Sequence, residues 1–229
     1  MNKRTLNIEH RVDCIAVSFF SMASPCEVLF DSRDKELVEE LACWLTQETW
    51  RIEDKFSRYQ KSNMLYQINN SKGKTIAIDD ETARLLAFSD ACYQASEGMF
   101  DITSGVLRKV WKFDGSDNVP NKDQVEALLP FVGWKKISYD QKYITLPLVG
   151  MELDFGGIGK EYAVDSVAQG LLQQLAVKNY SVPFLVNFGG DIFSSGPRLN
   201  GKPWIVSIIA LNGDGHAMRS AAIFCASLW

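Results

Sequence analysis

Residues 151–166, MELDFGGIGKEYAVDS, set a carboxylate, three glycines and a lysine close together. Asp154 ends a run that reads as a strand, Gly156, Gly157 and Gly159 follow, and Lys160 opens an amphipathic helix. Glycines ahead of a helix let backbone N–H groups approach a phosphate closely. A helix N-terminus carries partial positive charge and disfavours a cation by roughly a few tenths of a kcal/mol. Lys160 is therefore badly placed unless an anion such as a diphosphate lies beside it. A solvated lysine at a tight turn fits the same residues, and the spacing is not the dinucleotide-binding glycine pattern. Asp154 can hydrogen-bond a ligand or flank the helix as a cap.

Three further segments carry candidate groups. Residues 96–113 bring Met99, Phe100 and Asp101 together behind Gly98, an aromatic face beside a carboxylate, although such a phenylalanine also serves as a core anchor. Residues 56–69, FSRYQKSNMLYQIN, offer Tyr59, whose ring can stack on a planar ligand or pack within the protein. Residues 186–196 pair the turn-forming Gly189 and Gly190 with Asp191, a combination that a plain hairpin explains equally. His10 and His216 are isolated, and no Ser–His–Asp set or Cys–His pair stands out, so no catalytic residue is assigned.

The elements that must hold these groups follow from periodicity. Residues 14–30 read as one or two strands interrupted at Pro25, with Val17, Phe19, Val28 and Phe30 partly alternating. Leu37, Leu41, Trp44, Leu45, Ile52 and Phe56 recur at a helical period over residues 34–56. Asp79 or Asp80 caps a second helix that runs to about Ser96 and stops at Gly98. A short helix is expected over residues 122–129 and a strand over 142–149, ending at Gly150. The helix after the glycines carries Tyr162, Val167, Leu171 and Leu175 on one side, with Asp165 as a solvated or locally paired face residue. Residues 183–188 form a buried strand, and residues 203–211 and 219–228 form two more joined by an Asn-Gly-Asp-Gly turn at 212–215. Strands gather at both ends of the chain with helices between, so an α+β fold of mostly antiparallel sheet is expected, without a visible domain boundary.

Composition narrows the class. The 229 residues are 46% hydrophobic and 23% charged, with a formal net charge of −4, which suits a globular protein and argues against a basic nucleic-acid surface. The five cysteines are widely spaced with no Cys-x-x-Cys, so buried free thiols are expected rather than a disulfide framework or a zinc site. Glu9, Arg11 and Asp13 interrupt the charge and hydropathy pattern of a signal peptide, and a cytoplasmic location is expected.

Taken in order, these segments resemble the FAD:protein FMN transferase family, also called the ApbE family. FFSMASPCEVLF, with Met22, Ala23 and Ser24, is similar to the family's Met-Gly-Thr strand. FSRYQKSNMLYQIN resembles its Phe-Ser-x-Tyr segment, and SEGMFDITSGVLRKVW its Ser-x-Gly-Ala-Phe-Asp-x-Thr segment. LDFGGIGKEYAVD resembles Asp-Leu-Gly-Gly-Ile-Ala-Lys-Gly-Tyr-Ala-Val-Asp, and LVNFGGDIFSSG resembles Asn-x-Gly-Gly-Asp. The five motifs span residues 19–196.

The resemblance implies an ApbE-like, T-fold-related α+β domain over residues 1–229 that takes FAD as substrate. With Mg2+, FMN would be transferred to a Thr or Ser of an acceptor flavoprotein. By matching position, Met22, Tyr59, Met99, Phe100, Asp101, Asp154 and Lys160 would line the FAD site, and the Gly157 backbone oxygen would lie near the metal. Ala23 departs from the family glycine, and Met99 replaces a small residue. The family's later His-x-x-x-Pro and Ala-Asp-x-x-x-Thr segments, the second a source of metal ligands, do not occur here, so a C-terminally shortened member is expected. A non-catalytic FAD-binding module and an FAD diphosphatase are the alternatives, and export is the alternative location by family analogy.

Overall fold

The computed structural model describes residues 4–112, 119–209 and 217–223. In chain order the elements are β1 (Leu6–His10), β2 (Ile15–Ser21), β3 (Ser24–Phe30), α1 (Lys35–Phe56), α2 (Met64–Asn69), β4 (Thr75–Ala77) and α3 (Asp80–Ala95). A 3-10 helix at Ile102–Lys109 precedes α4 (Lys122–Glu126), and two more 3-10 turns follow at Leu129–Phe131 and Trp134–Lys136. Then come β5 (Ser138–Tyr139), β6 (Tyr143–Thr145), α5 (Gly159–Val177), β7 (Phe184–Phe188), β8 (Asp191–Ser194), β9 (Trp204–Ile209) and β10 (Ala217–Ile223). The fold is α+β, as expected. It divides into two compact units, one of Met1–Glu53 with Lys160–Trp229 and one of Asp54–Gly159. The divisions fall at Glu53/Asp54, inside α1, and at Gly159/Lys160, in the first residues of α5, where no Pro- or Ser-rich linker marks them in the sequence.

The first unit is built on a five-stranded antiparallel sheet ordered β1-β2-β3-β7-β8. Its register aligns Val17 with Val28 and Val28 with Val186, and sets Phe30 opposite Phe184. These residues are fully buried, so alternate positions of three neighbouring strands supply one apolar face. Trp50 of α1 meets Phe19 of β2 edge to face at 6.0 Å between centroids. Val167, Leu171 and Leu175 of α5 are buried, whereas Asp165 is exposed. Tyr162 is only half-buried.

The interruption expected at Pro25 lies instead at Met22–Ala23, which turns β2 into β3 with φ of 50° and 57°. Pro25 sits within β3 opposite Phe20, and pairing of β3 with β7 begins one residue later, at Cys26, so the missing proline N–H breaks no ladder bond there. Glu53 anchors the turn by accepting the Met22 N–H at 2.8 Å and the Ser21 hydroxyl at 2.9 Å. β9 and β10 pair antiparallel as expected, while the 212–215 turn, His216 and Cys225 lie outside the described residues.

The second unit contains α2, α3, α4 and a three-stranded sheet ordered β4-β6-β5. Asp79 caps α3 by accepting the Thr82 N–H at 2.9 Å. The strand expected over 142–149 shortens to β6, and the run ending at Asp154 is not a strand. Met151, Leu153 and Phe155 do alternate into the core. However, it is the Asn69 side chain that pairs with the Leu153 backbone. It accepts the Leu153 N–H at 2.7 Å and donates to the Leu153 carbonyl at 2.9 Å. One amide thus meets the backbone requirement that a neighbouring strand would otherwise fill. Of the cysteines, Cys14 and Cys26 are buried as expected, but Cys43 is exposed and Cys92 half-buried, and none of these four forms a disulfide.

Candidate functional site

A cavity of ≈ 620 Å³ opens in the second unit, within the size range of small-molecule sites. Met99, Phe100, Asp101, Asp154 and Gly157, all expected at a ligand site, line it. The sequence reading passed over Arg58, Gly105, Arg108 and Trp111, which line it as well.

Local chemistry explains how each wall is held. Asp101 caps the 3-10 helix at Ile102–Lys109, accepting the Thr103 N–H at 2.8 Å and its hydroxyl at 2.6 Å through Oδ1. Its other oxygen accepts the Trp134 N–H at 2.9 Å. The carboxylate expected to meet a ligand is thus largely occupied in fixing the wall. Phe100 donates its N–H to Ser96 Oγ at 2.9 Å, and its ring covers Gly157 so closely that a Cβ there would come within 2.9 Å of Cε2. Gly105 allows a closer approach still, since its Cβ would lie 2.5 Å from that of Asp154. The Asp154 N–H reaches the Ile102 carbonyl at 2.9 Å, which ties the two walls. Met99 is 89% exposed.

Asp154 has two partners. Its Oδ1 accepts the Gly156 N–H at 2.9 Å, and its Oδ2 pairs with Arg58 Nη1. The second guanidinium nitrogen of Arg58 donates to the Tyr59 hydroxyl at 2.8 Å, with the guanidinium over the Tyr59 ring at 4.9 Å. Burial would lower the Arg58 pKa, but the Tyr59 hydroxyl and Asp154 outweigh it and raise it, so the cation is secure. Tyr59 is 75% exposed and joins the cavity through Arg58. Arg108 and Lys109 both pair with Glu152, at 2.6 and 2.8 Å. Burial would raise the Glu152 carboxyl, but these two cations more than offset it and hold it below its ordinary value.

The glycine loop does not present a row of free amides. The Gly156 N–H is held by Asp154, and the Ile158 and Gly159 N–H groups both reach the Phe155 carbonyl, at 3.0 and 2.6 Å. The backbone phosphate cradle expected across residues 156–159 is corrected accordingly: three of its amides close the loop on itself as α5 starts, and the glycines admit Phe100 and Asp154.

Met22 and Lys160 belong to the first unit. Lys160 Nζ lies over the β7–β8 turn, 3.4 Å from where a Cβ of Gly189 would stand. Gly189 has φ of 63°, and that Cβ would also meet Ser24 Oγ at 2.5 Å. Among the described residues the Lys160 ammonium makes no ion pair or hydrogen bond. Asp191 pairs opposite Phe188 at the start of β8. The described residues contain no group of three or more His, Cys, Asp or Glu able to hold a metal ion. None of their helices is long and apolar enough to cross a membrane.

Residues 22–225 match the family model described as "ApbE family". The chain is 31% identical over 182 residues to the FAD:protein FMN transferase of Haemophilus influenzae, covering 75% of this chain and 51% of that one. It is 26% identical over 184 residues to the Escherichia coli K12 protein of the same name, covering 77% and 50%. The chain thus spans about half the length of the curated relatives it matches. The solved structure of the ApbE protein from Thermotoga maritima superposes with a TM-score of 0.78 at 22% identity, covering 97% of this chain and 68% of that one. The flavinyl transferase ApbE of Pseudomonas stutzeri superposes at 0.73 and 23%, covering 91% and 64%.

Proposed function

The chain belongs to the ApbE family, and from that premise we propose that it takes part in moving FMN from FAD to a Thr or Ser hydroxyl of an acceptor flavoprotein. One observation carries this reading: Met99, Phe100, Asp101, Asp154 and Gly157, drawn from two separated motifs, line one cavity with Arg58 from a third. Aromatic rings beside guanidinium groups suit a ligand that is planar at one end and phosphorylated at another. We carry over Met22, Tyr59, Met99, Phe100, Asp101, Asp154 and Lys160 as FAD-binding residues. In the reaction the acceptor oxygen bonds to the FMN phosphorus, the diphosphate P–O bond breaks, AMP leaves and the hydroxyl proton is released. Lys160 answers the question its position poses, because an ammonium without a partner among the described residues is available to a phosphate anion.

The family resemblance also implies Mg2+ near the Gly157 carbonyl. The described residues do not fit that ion on their own: they offer no cluster of carboxylates, and Asp154 is paired with Arg58. No step is derived through the metal. The same observation favours a second reading, a module that binds FAD without transferring FMN.

The test mixes the purified chain with FAD, Mg2+ and an acceptor peptide containing Ser-Gly-Ala-Thr. Fluorescent peptide in a gel supports transfer. Free FMN and AMP without labelled peptide support hydrolysis, and quenched FAD fluorescence with neither product supports the binding module. An absence of FAD binding refutes the reading. Lys160→Ala should weaken FAD binding about tenfold, in line with loss of one charge-assisted contact.

A further inference from the structure

We infer that Arg58 is the specificity-determining cation of the cavity, reading the phosphate of an entering nucleotide, and that Asp154 and Tyr59 are positioning residues acting through it. The inference rests on the flavin-nucleotide reading above and reverses the role that reading gives Asp154 and Tyr59, from ligand contact to buttress.

The geometry separates the two roles. Asp154 has one oxygen on the Gly156 N–H and the other on Arg58 Nη1, so both are engaged inside the protein. A carboxylate with this arrangement would repel a diphosphate, and its pairing with Arg58 removes that repulsion. Arg58 has five N–H donors, of which one goes to Asp154 and one to the Tyr59 hydroxyl. The remaining donors belong to a guanidinium that lines the cavity and retains 30% side-chain exposure. Its plane is fixed on one side by the Tyr59 ring and at one end by Asp154. A planar fork held in this way is pre-organised for two oxygens of one phosphate, a match that a lysine ammonium does not reproduce.

The loop beneath it is also fixed. The Asn63 side chain donates to the Asp54 carbonyl at 2.8 Å and to the Ser57 carbonyl at 2.7 Å, tying the chain after Arg58 to the residues before it. Arg108, the other guanidinium at the cavity, is committed through two nitrogens to Glu152, at 3.1 and 2.6 Å, and Lys109 shares the same carboxylate. Arg58 has as many nitrogens engaged, and what sets it apart is that its plane lies against the Tyr59 ring and is held there for an incoming anion.

The experiment titrates FAD into the wild-type chain, Arg58→Gln, Arg58→Lys, Asp154→Asn and the Arg58→Gln/Asp154→Asn double variant at several salt concentrations. Tryptophan and flavin fluorescence report binding, and circular dichroism checks that each variant folds. Arg58→Gln is expected to weaken FAD binding about tenfold or more, as for a lost charge-assisted hydrogen bond. It should also flatten the dependence of affinity on salt, because one screened charge contact has gone. Arg58→Lys, which keeps the charge but not the fork, should fall between. Asp154→Asn should weaken binding alone and add little to Arg58→Gln.

If wild type binds FAD and Arg58→Gln binds as tightly, the inference fails while the flavin reading stands. A weaker Arg58→Gln with an unchanged salt slope assigns Arg58 a merely structural role and overturns the inference, as does full additivity of the two substitutions. If wild type binds no FAD, the flavin reading fails first and takes the inference with it. Arg58→Lys keeps a cation beside Asp154, so it decides the matter should Arg58→Gln prove unfolded.

Discussion

Gly105→Ala puts one methyl group where the structure has no room for it. The added Cβ would lie 2.5 Å from Asp154 Cβ, 3.1 Å from its N and 3.3 Å from its Cα. Carbon atoms prefer about 3.5–4.0 Å, so the two segments must part by about 1 Å. Two of the three close atoms are backbone, and no rotamer change relieves them. Overpacking of this kind costs about 1–3 kcal/mol. Parting the segments also strains the Asp154 N–H to Ile102 carbonyl bond, whose net contribution is about 0.5–1.5 kcal/mol. Replacing glycine within a helical turn returns about 0.5–1 kcal/mol, which leaves a net loss near 2 kcal/mol by these figures. Gly156→Ala is the control, because its Cβ would meet only the Asp154 side chain, nearest at 3.1 Å to Oδ1, and that group can shift. Urea unfolding followed by tryptophan fluorescence and circular dichroism measures both; Trp111 and Trp134 report from the unit that carries the substitution. If Gly105→Ala lies within about 0.5 kcal/mol of wild type, the range of an ordinary surface change, the close packing of residues 102–105 on Asp154 is refuted.

Ala23 occupies the left-handed region at φ 57°, which disfavours an L side chain, so Ala23→Gly should stabilise the chain by about 0.5–1 kcal/mol after the added freedom of the unfolded state. A lower thermal midpoint would contradict this. Burial alone would raise the Asp79 carboxyl, but Lys55 and Thr82 outweigh it and bring its pKa to about 2. A carboxyl depressed in the folded state adds stability above its unfolded value, near pH 3.9, and loses it as pH falls toward 2. Asp79→Asn should therefore flatten the fall in urea midpoint between about pH 4 and 2; an unchanged acid limb argues otherwise. Burial pushes the Cys26 thiol up to about 12, so at pH 8 iodoacetamide should modify the exposed Cys43 and spare Cys26 until the chain unfolds, as read by peptide mass spectrometry. Early labelling of Cys26 would overturn its placement in the sheet.

Two long helices, α1 and α5, were legible because Leu41, Leu45 and Ile52, or Val167, Leu171 and Leu175, repeat at a helical period and are buried together. The cavity was legible in part. Phe100, Asp101, Asp154 and Gly157 stood out by type, yet Arg58 did not, because a single arginine in a polar loop looks like any solvated cation and its partner lies 96 residues away. Gly105 gave no signal either, since the need for glycine arises only when Asp154 is folded against it. The run ending at Asp154 was read as a strand and is not one, although Met151, Leu153 and Phe155 alternate into the core, because periodicity reports which side chains go inside and not what satisfies the backbone. β1 was missed for the opposite reason: four of its five residues are exposed, so no apolar period marks it.

The Asn69 clamp on Leu153 has a consequence for how sequences of this kind can drift. A ladder fastens a segment at every second residue, whereas here one carboxamide takes both backbone groups of Leu153 and the Ile102 carbonyl takes the Asp154 N–H. Aspartate in its place would lose the donor and leucine would lose both groups, so that locus is frozen. Its neighbours answer to no partner strand and are confined instead by the core, through Met151 and Phe155, and by Gly105, which Asp154 abuts.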